Sequence, residues 1–318
     1  MLSEYSLGSC IFDIDCYVGD DKERRQLCYS KLKELKEIIL EEEALVRDLR
    51  DGGWSKYILN LQKQKHLNIH QNTKYIIEGL RLRKIQAAQA TKLPSSHDEW
   101  CQEAIDSHRN EPLNAILTSQ KTALNFPNVA EVCSIEELTI ARWLQTHSCS
   151  VRLKRNIQEY LKYLEVVLNQ ARMIKFIDPY FDPDPLTGKS YRDFHHLINA
   201  ARKDIKAAKK NIEIHLVKKF SEADAKQQFQ TLSPTLNNAH LTAQVFFWDD
   251  FHDRYLITDI IGISLNNGFN TDNTLTTWTK LSKSDRNNIN DEFKPDSSRK
   301  KSLVGNHILC YELSLPLS

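Results

Sequence analysis

FFWDDFHDRYLITDIIGISLNNGFN, residues 246–270, decides how the second half of this 318-residue chain reads. Three apolar runs rich in β-branched and aromatic residues (FFW, YLIT, GISL) alternate with short breaks of Asp, Asn and Gly, the pattern of strands separated by tight connections. His252 and Arg254 stand two residues apart, so in extended backbone both side chains project from one face. A neutral imidazole is nucleophilic near physiological pH, and a guanidinium grips two phosphate oxygens at once. Together they suit phosphodiester chemistry that needs no metal.

Working outward, AQVFFW (243–248), RYLITD (254–259), GISL (262–265) and HILCYELSL (307–315) read as strands, as do MIKFID (173–178) and IEIHLV (212–217) further upstream. Helical pattern fills the intervals at residues 191–211 and 222–237. Alternating strands and helices predict an α/β domain, a mixed sheet with parallel pairs flanked by helices, over residues 171–318. Residues 282–301 are polar enough to read as a loop.

Residues 1–170 read differently. Apolar positions from Leu27 to Leu49 recur at three- and four-residue steps, which predicts one amphipathic helix over residues 21–50, stopped by Gly52-Gly53. Helical pattern continues from Trp54 to about Leu93. LPSSHDEW (93–100) then supplies a break with Ser96 or Asp98 as a cap, and a further helical stripe runs from Leu153 to Ala171. The expectation is a mainly α-helical regulatory or partner-binding domain. FDID at 12–15 can be read as an acidic metal pair, but it alternates as any half-exposed strand does and is assigned no role.

The spacing around His252 resembles the phospholipase D superfamily, whose signature is HxK(x)4D followed after six residues by GSxxN. Arg254 stands at the lysine position, Asp259 at the aspartate, Asn266-Asn267 at Gly-Ser, and Asn270 at the final Asn. IDPY at 177–180 and HDR at 252–254 are also similar to the phospholipase-D-like C-terminal domain of MIT-domain proteins and its bacterial relatives. The resemblance covers the second half of the chain alone. It implies His252, Arg254 and Asp259 as catalytic residues, and Asn270, Asn267, Asp178 and Tyr180 as substrate-binding ones.

Active members of that superfamily bring two such motifs together, one histidine attacking phosphorus and the other protonating the leaving oxygen. This chain has one motif, so catalysis implies a homodimer or a larger assembly, and the resemblance points to a metal-independent nuclease, with a helical first half suggesting an antiphage defence effector. The alternative is a catalytically silent module that binds a phosphate group on nucleic acid, nucleotide or lipid and engages a protein partner. Asp178, Asp182 and Asp184 read either as turn formers beside prolines or as groups that orient His252 or bind a metal.

Composition narrows the partners. Lys+Arg number 43 and Asp+Glu 42, so no global charge drives binding to nucleic acid or to an acidic membrane, and any polyanion site is a local patch. Seven cysteines without a CxxC pair argue against a disulfide framework or a zinc ribbon. With no basic start leading into an apolar run and no stretch of eighteen apolar residues, a cytoplasmic protein without a transmembrane segment is expected. Neither a cofactor nor a metal is expected. Nucleic acid is the leading partner, and peripheral contact with lipid stays open.

Overall fold

The computed structural model describes residues 2–41, 44–65, 67–86, 92–140, 148–182, 193–201, 210–217, 222–248, 250–294 and 309–315. The chain divides into two compact units, Leu2–His147 and Ser148–Ser318. None of the described helices is long and apolar enough to cross a membrane.

The N-terminal unit contains β1 (Glu4–Leu7), α1 (Asp21–Glu41), β2 (Leu45–Asp48), α2 (Leu49–Lys65), α3 (Leu67–Gly79), β3 (Arg81–Ile85), α4 (His97–Asn110), β4 (Ala115–Thr118), α5 (Gln120–Ala123) and β5 (Val132–Ser134). Its five strands form one sheet in the order β3-β2-β1-β4-β5, and every pair is parallel. The mainly helical domain expected from the sequence is therefore corrected to an α/β unit. The reason is physical. All four residues of β1, of β2 and of β4 are buried, so these strands lack the alternation that marks a strand with one wet face. Leu45, Val46 and Leu49 also continue the helical spacing of α1, although the helix ends at Glu41.

Tyr5, Trp54, Trp100 and Leu117 lie in the core of this unit. Arg47, from β2, is buried among them and fully engaged: its guanidinium donates to Glu4 Oε1 at 3.1 Å and Oε2 at 2.8 Å, and to the carbonyl oxygens of Ser107 and Glu111.

The C-terminal unit contains β6 (Ser150–Lys154), α6 (Ile157–Gln170), β7 (Met173–Ile177), α7 (Phe194–Ala200), β8 (Asn211–Val217), α8 (Glu222–Gln230), α9 (Ser233–Asn238), β9 (Thr242–Trp248), β10 (Tyr255–Thr258), β11 (Gly262–Leu265), β12 (Leu275–Lys280), α10 (Lys283–Glu292) and β13 (Leu309–Leu315). One mixed sheet runs in the order β13-β9-β8-β7-β10-β11-β12-β6. Its centre, β7-β8-β9, is parallel and the remaining pairs are antiparallel. The mixed α/β architecture expected after residue 171 is present, but the unit begins earlier, at Ser148. The cause is β6, which pairs with β12 from Ser150↔Thr279 to Lys154↔Leu275 and draws α6 with it. Ile157, Tyr160, Leu164, Val167 and Leu168 form the buried stripe of α6. The helix expected over residues 191–211 is seen as α7 alone, since residues 202–209 lie outside the described ones.

Candidate functional site

Topology gathers most of the expected residues at one edge of the C-terminal sheet. Because β7 is central and parallel to β8, Asp178 leaves it at the carboxyl edge, where its backbone N–H donates to His215 O at 3.0 Å. Strand β10 runs antiparallel to β7 with Tyr255 opposite Ile177, which sets Arg254 beside Asp178. Strand β11 returns to the same edge: Leu265 N–H donates to Arg254 O at 2.9 Å, and residues 266–274 form the loop that follows.

Asp178 organises this edge. Its carboxylate is buried and accepts from Tyr180 N–H at 3.0 Å through Oδ1 and from Phe269 N–H at 3.2 Å through Oδ2. The same Oδ1 lies 3.7 Å from Arg254 Nε. Arg254 Nη1 donates to Asn266 O at 3.2 Å, and the guanidinium carbon sits 4.9 Å from the centre of the Tyr180 ring. A cation held by a buried carboxylate on one side and an aromatic face on another keeps one orientation. With 25% of the Arg254 side chain and 47% of Tyr180 exposed, the arrangement opens to solvent. The Nη2 group has no hydrogen-bonding partner among the described residues.

The loop from Asn266 is anchored beneath. Tyr160 OH, from α6, donates to Asn270 O at 2.8 Å, and Arg155 pairs with Asp272 at 2.7 Å. Burial pushes the Tyr160 hydroxyl up to about 12, so it stays a donor at physiological pH. Asn270 is half-buried, and its Oδ1 atom is buried without a hydrogen-bond partner among the described residues. Asn266 and Asn267 are exposed. Gly268 has φ +69°, and a Cβ placed on it would overlap Asp178 Oδ2. The sequence reading missed this glycine, although the Asn-Gly pair at 267–268 was a visible turn signal.

Two expected catalytic residues sit apart from this cluster. His252 belongs to the β9–β10 connection at the same edge, but its side chain is 79% exposed, with Nε2 3.7 Å from Asp250 Oδ2. Asp259 follows β10 at the opposite edge, about 17 Å from Arg254 by the rise of an extended strand. There its Oδ1 accepts from Arg172 N–H at 2.9 Å and Met173 N–H at 3.4 Å, tying the start of β7 to the β10–β11 turn. Asp259 acts on the frame and not on the Arg254 cluster.

His215 supplies no second reactive histidine. Buried in β8, it accepts from Trp248 Nε1 at Nδ1 (3.1 Å) and faces Glu213 Oε2 with Nε2 at 3.1 Å, and Glu213 also pairs with Lys175 at 2.9 Å. Asp178 is held by backbone donors, Asp182 is half-buried, and Asp184 lies outside the described residues. Among the described residues of this unit, no three His, Cys, Asp or Glu donors come together to hold a metal.

No family model matches the chain. No curated protein matches it either. Among solved structures it is similar to TrmBL2, an archaeal chromatin protein whose structure shows a novel mode of DNA binding, at 14% identity over 64% of this chain and 70% of that one. The TM-score is 0.28, too low to carry an argument about fold or function.

Proposed function

We propose that the C-terminal unit recognises a phosphodiester group, with Arg254 as the phosphoryl clamp and a nucleic acid strand as its ligand. The observation that carries this reading is the preset guanidinium: Asp178, Tyr180 and the Asn266 carbonyl fix one side of Arg254, while Nη2 has no such partner. A phosphate arriving there meets a cation whose orientation has already been fixed, so little side-chain entropy is lost on binding. Exposed Asn267 and half-buried Asn270 lie on the adjacent loop and supply amide donors for the remaining phosphoryl oxygens. Tyr180 offers a ring face for a neighbouring base.

The test is fluorescence anisotropy with labelled single-stranded DNA and RNA at several salt concentrations, comparing wild type with Arg254→Ala and Arg254→Lys. Arg254→Ala should weaken binding at least tenfold and flatten the salt dependence by about one contact. Arg254→Lys should recover only part of the loss, since an ammonium cannot reproduce the planar fork. Equal affinity in wild type and Arg254→Ala would refute the clamp.

Cleavage is the second reading, favoured by the exposure of His252 at the same edge. In that reaction a His252 imidazole attacks phosphorus and forms a phosphohistidine while the leaving oxygen takes a proton from the histidine of a second copy, and water then hydrolyses the P–N bond. It requires EDTA-resistant turnover that disappears in His252→Ala. Binding without turnover in either protein leaves a recognition module.

A further inference from the structure

The N-terminal unit carries a group of side chains that the phosphate reading does not use. Its strand order reverses at β1, with β2 and β3 on one side and β4 and β5 on the other. In open parallel sheets, the crevice beyond the carboxyl ends of the strands at such a reversal is where ligands bind. Here the chain leaving β1 is pressed against the end of β4. Gly8 N–H donates to Leu117 O at 2.6 Å, and a Cβ on Gly8 would stand 3.0 Å from Thr118 Oγ1 and 3.1 Å from Cys10 Sγ. Two short 3-10 turns follow, Ser9–Phe12 and Ile14–Cys16, with Asp13 between them. Helix α4 brings His97 to the same place, its first turn fixed by a capping box between Ser96 and Glu99.

The carboxylate of Asp13, the sulfur of Cys16 and a ring nitrogen of His97 all lie within 4.8 Å of one another. His97 Nε2 is 3.0 Å from Asp13 Oδ2, and its Nδ1 is 2.8 Å from Ser9 Oγ. We propose that Asp13, Cys16 and His97 bind a zinc-class divalent cation through three donors, with Ser9 orienting the imidazole from behind.

Three features support a cation over other uses of the same residues. The donors come from two separate places in the chain, the turn at residues 13–16 and the first residue of α4, and meet at the edge where this fold places ligands. A zinc centre with metal–nitrogen and metal–oxygen bonds of about 2.1 Å and a metal–sulfur bond of about 2.3 Å spaces its donors roughly 3.3 to 3.8 Å apart. With all donors within 4.8 Å of one another, the widest separation needs to close by at most about 1 Å, within the range of side-chain rotation. Ser9 on Nδ1 supplies the outer partner that metal-bound histidines regularly have.

Asp13, His97 and Ser9 also follow one another as the members of a hydrolytic relay do, but Ser9 is completely buried and no substrate carbonyl can reach it. That relay would also leave Cys16 without a function. A thiolate, an imidazole and one carboxylate favour zinc or cobalt over magnesium or calcium. Three protein donors leave a fourth position for water or substrate.

The experiment is cobalt titration of the full chain after chelator treatment and dialysis. One cobalt per chain should bind, giving tetrahedral d–d bands and a sulfur-to-cobalt charge-transfer band, both bleached by zinc. Cys16→Ser should lose the charge-transfer band although six other cysteines remain. His97→Ala should weaken binding more than tenfold, and Ser9→Ala, which keeps all three donors, should weaken it about tenfold. Circular dichroism checks that each variant folds. If Cys16→Ser does not fold, X-ray absorption on the zinc-loaded wild type decides, with one sulfur and the rest nitrogen or oxygen expected. Failure to bind cobalt, a charge-transfer band that persists in folded Cys16→Ser, or a zinc shell without sulfur would each overturn the site.

Discussion

Gly268 holds a backbone conformation, φ +69°, that side chains with a Cβ rarely adopt, and it does so against a buried carboxylate. Gly268→Ala therefore combines left-handed strain with a clash against Asp178, and each is worth about 1–3 kcal/mol. Urea unfolding should show the C-terminal unit destabilised by an amount of that order, and anisotropy should show weaker strand binding, because the clash displaces the acid that orients Arg254. Unchanged stability and affinity would mean that the loop relaxes without moving Asp178. At this scale the resemblance to the phospholipase D signature and to the IDPY stretch pointed to Arg254, Asp178, Tyr180 and Asn270, and the sheet edge brings Arg254, Asp178 and Tyr180 together with Asn270 on the adjacent loop. The sequence could not announce that His252 faces solvent or that Asp259 stays at the far edge. Both facts depend on where β10 starts and stops, and motif spacing does not encode this.

Strand β2 shows why one whole layer of the N-terminal unit was illegible. Its residues Leu45, Val46, Arg47 and Asp48 are buried on both faces, so no alternation distinguishes them from the end of an amphipathic helix, and the charged pair reads as a wet face. The structure instead buries Arg47 with Glu4 as its bidentate partner, assisted by Arg83 at 2.9 Å from Glu4. Strands β7, β8 and β9 gave clear signals because each is longer and set apart by turn residues. Strands β6 and β12 are rich in Ser, Thr and Lys and carry too few apolar residues to read as strands. Arg47→Met should cost about 3 kcal/mol, the usual penalty for leaving one member of a buried ion pair uncompensated, with Arg83 limiting the loss. In denaturant titration the double variant Arg47→Met with Glu4→Gln should recover part of that loss. A double variant whose loss equals the sum of both single losses would show that the two residues do not act as a pair.

Across the whole molecule the positive and negative charges nearly cancel, so its response to alkaline pH is set by buried groups, and the two units hold opposite kinds. In the C-terminal unit burial pushes the Lys210 ammonium down to about 8, against the pull of Asp259. Between pH 8 and the ordinary lysine value of 10.5 the unfolded chain keeps a proton that the folded unit has released, so the stability of this unit rises with pH. Above pH 10 the trend reverses, because burial raises Tyr160 and Tyr255 to about 12 and only the unfolded chain ionises them there. In the N-terminal unit burial raises the Cys28 and Cys101 thiols to about 12 from 9.0. The folded unit keeps those protons while the unfolded chain loses them, so its stability falls from pH 9 upward. Between pH 9 and 10 the two units should move in opposite directions. Pulse proteolysis in urea under reducing conditions, with fragments assigned to each unit by mass spectrometry, reads both at once. Lys210→Met should abolish the rise in the C-terminal unit and leave the decline in the N-terminal unit unchanged. A rise that survives in Lys210→Met would mean that a group other than this lysine controls the alkaline limb.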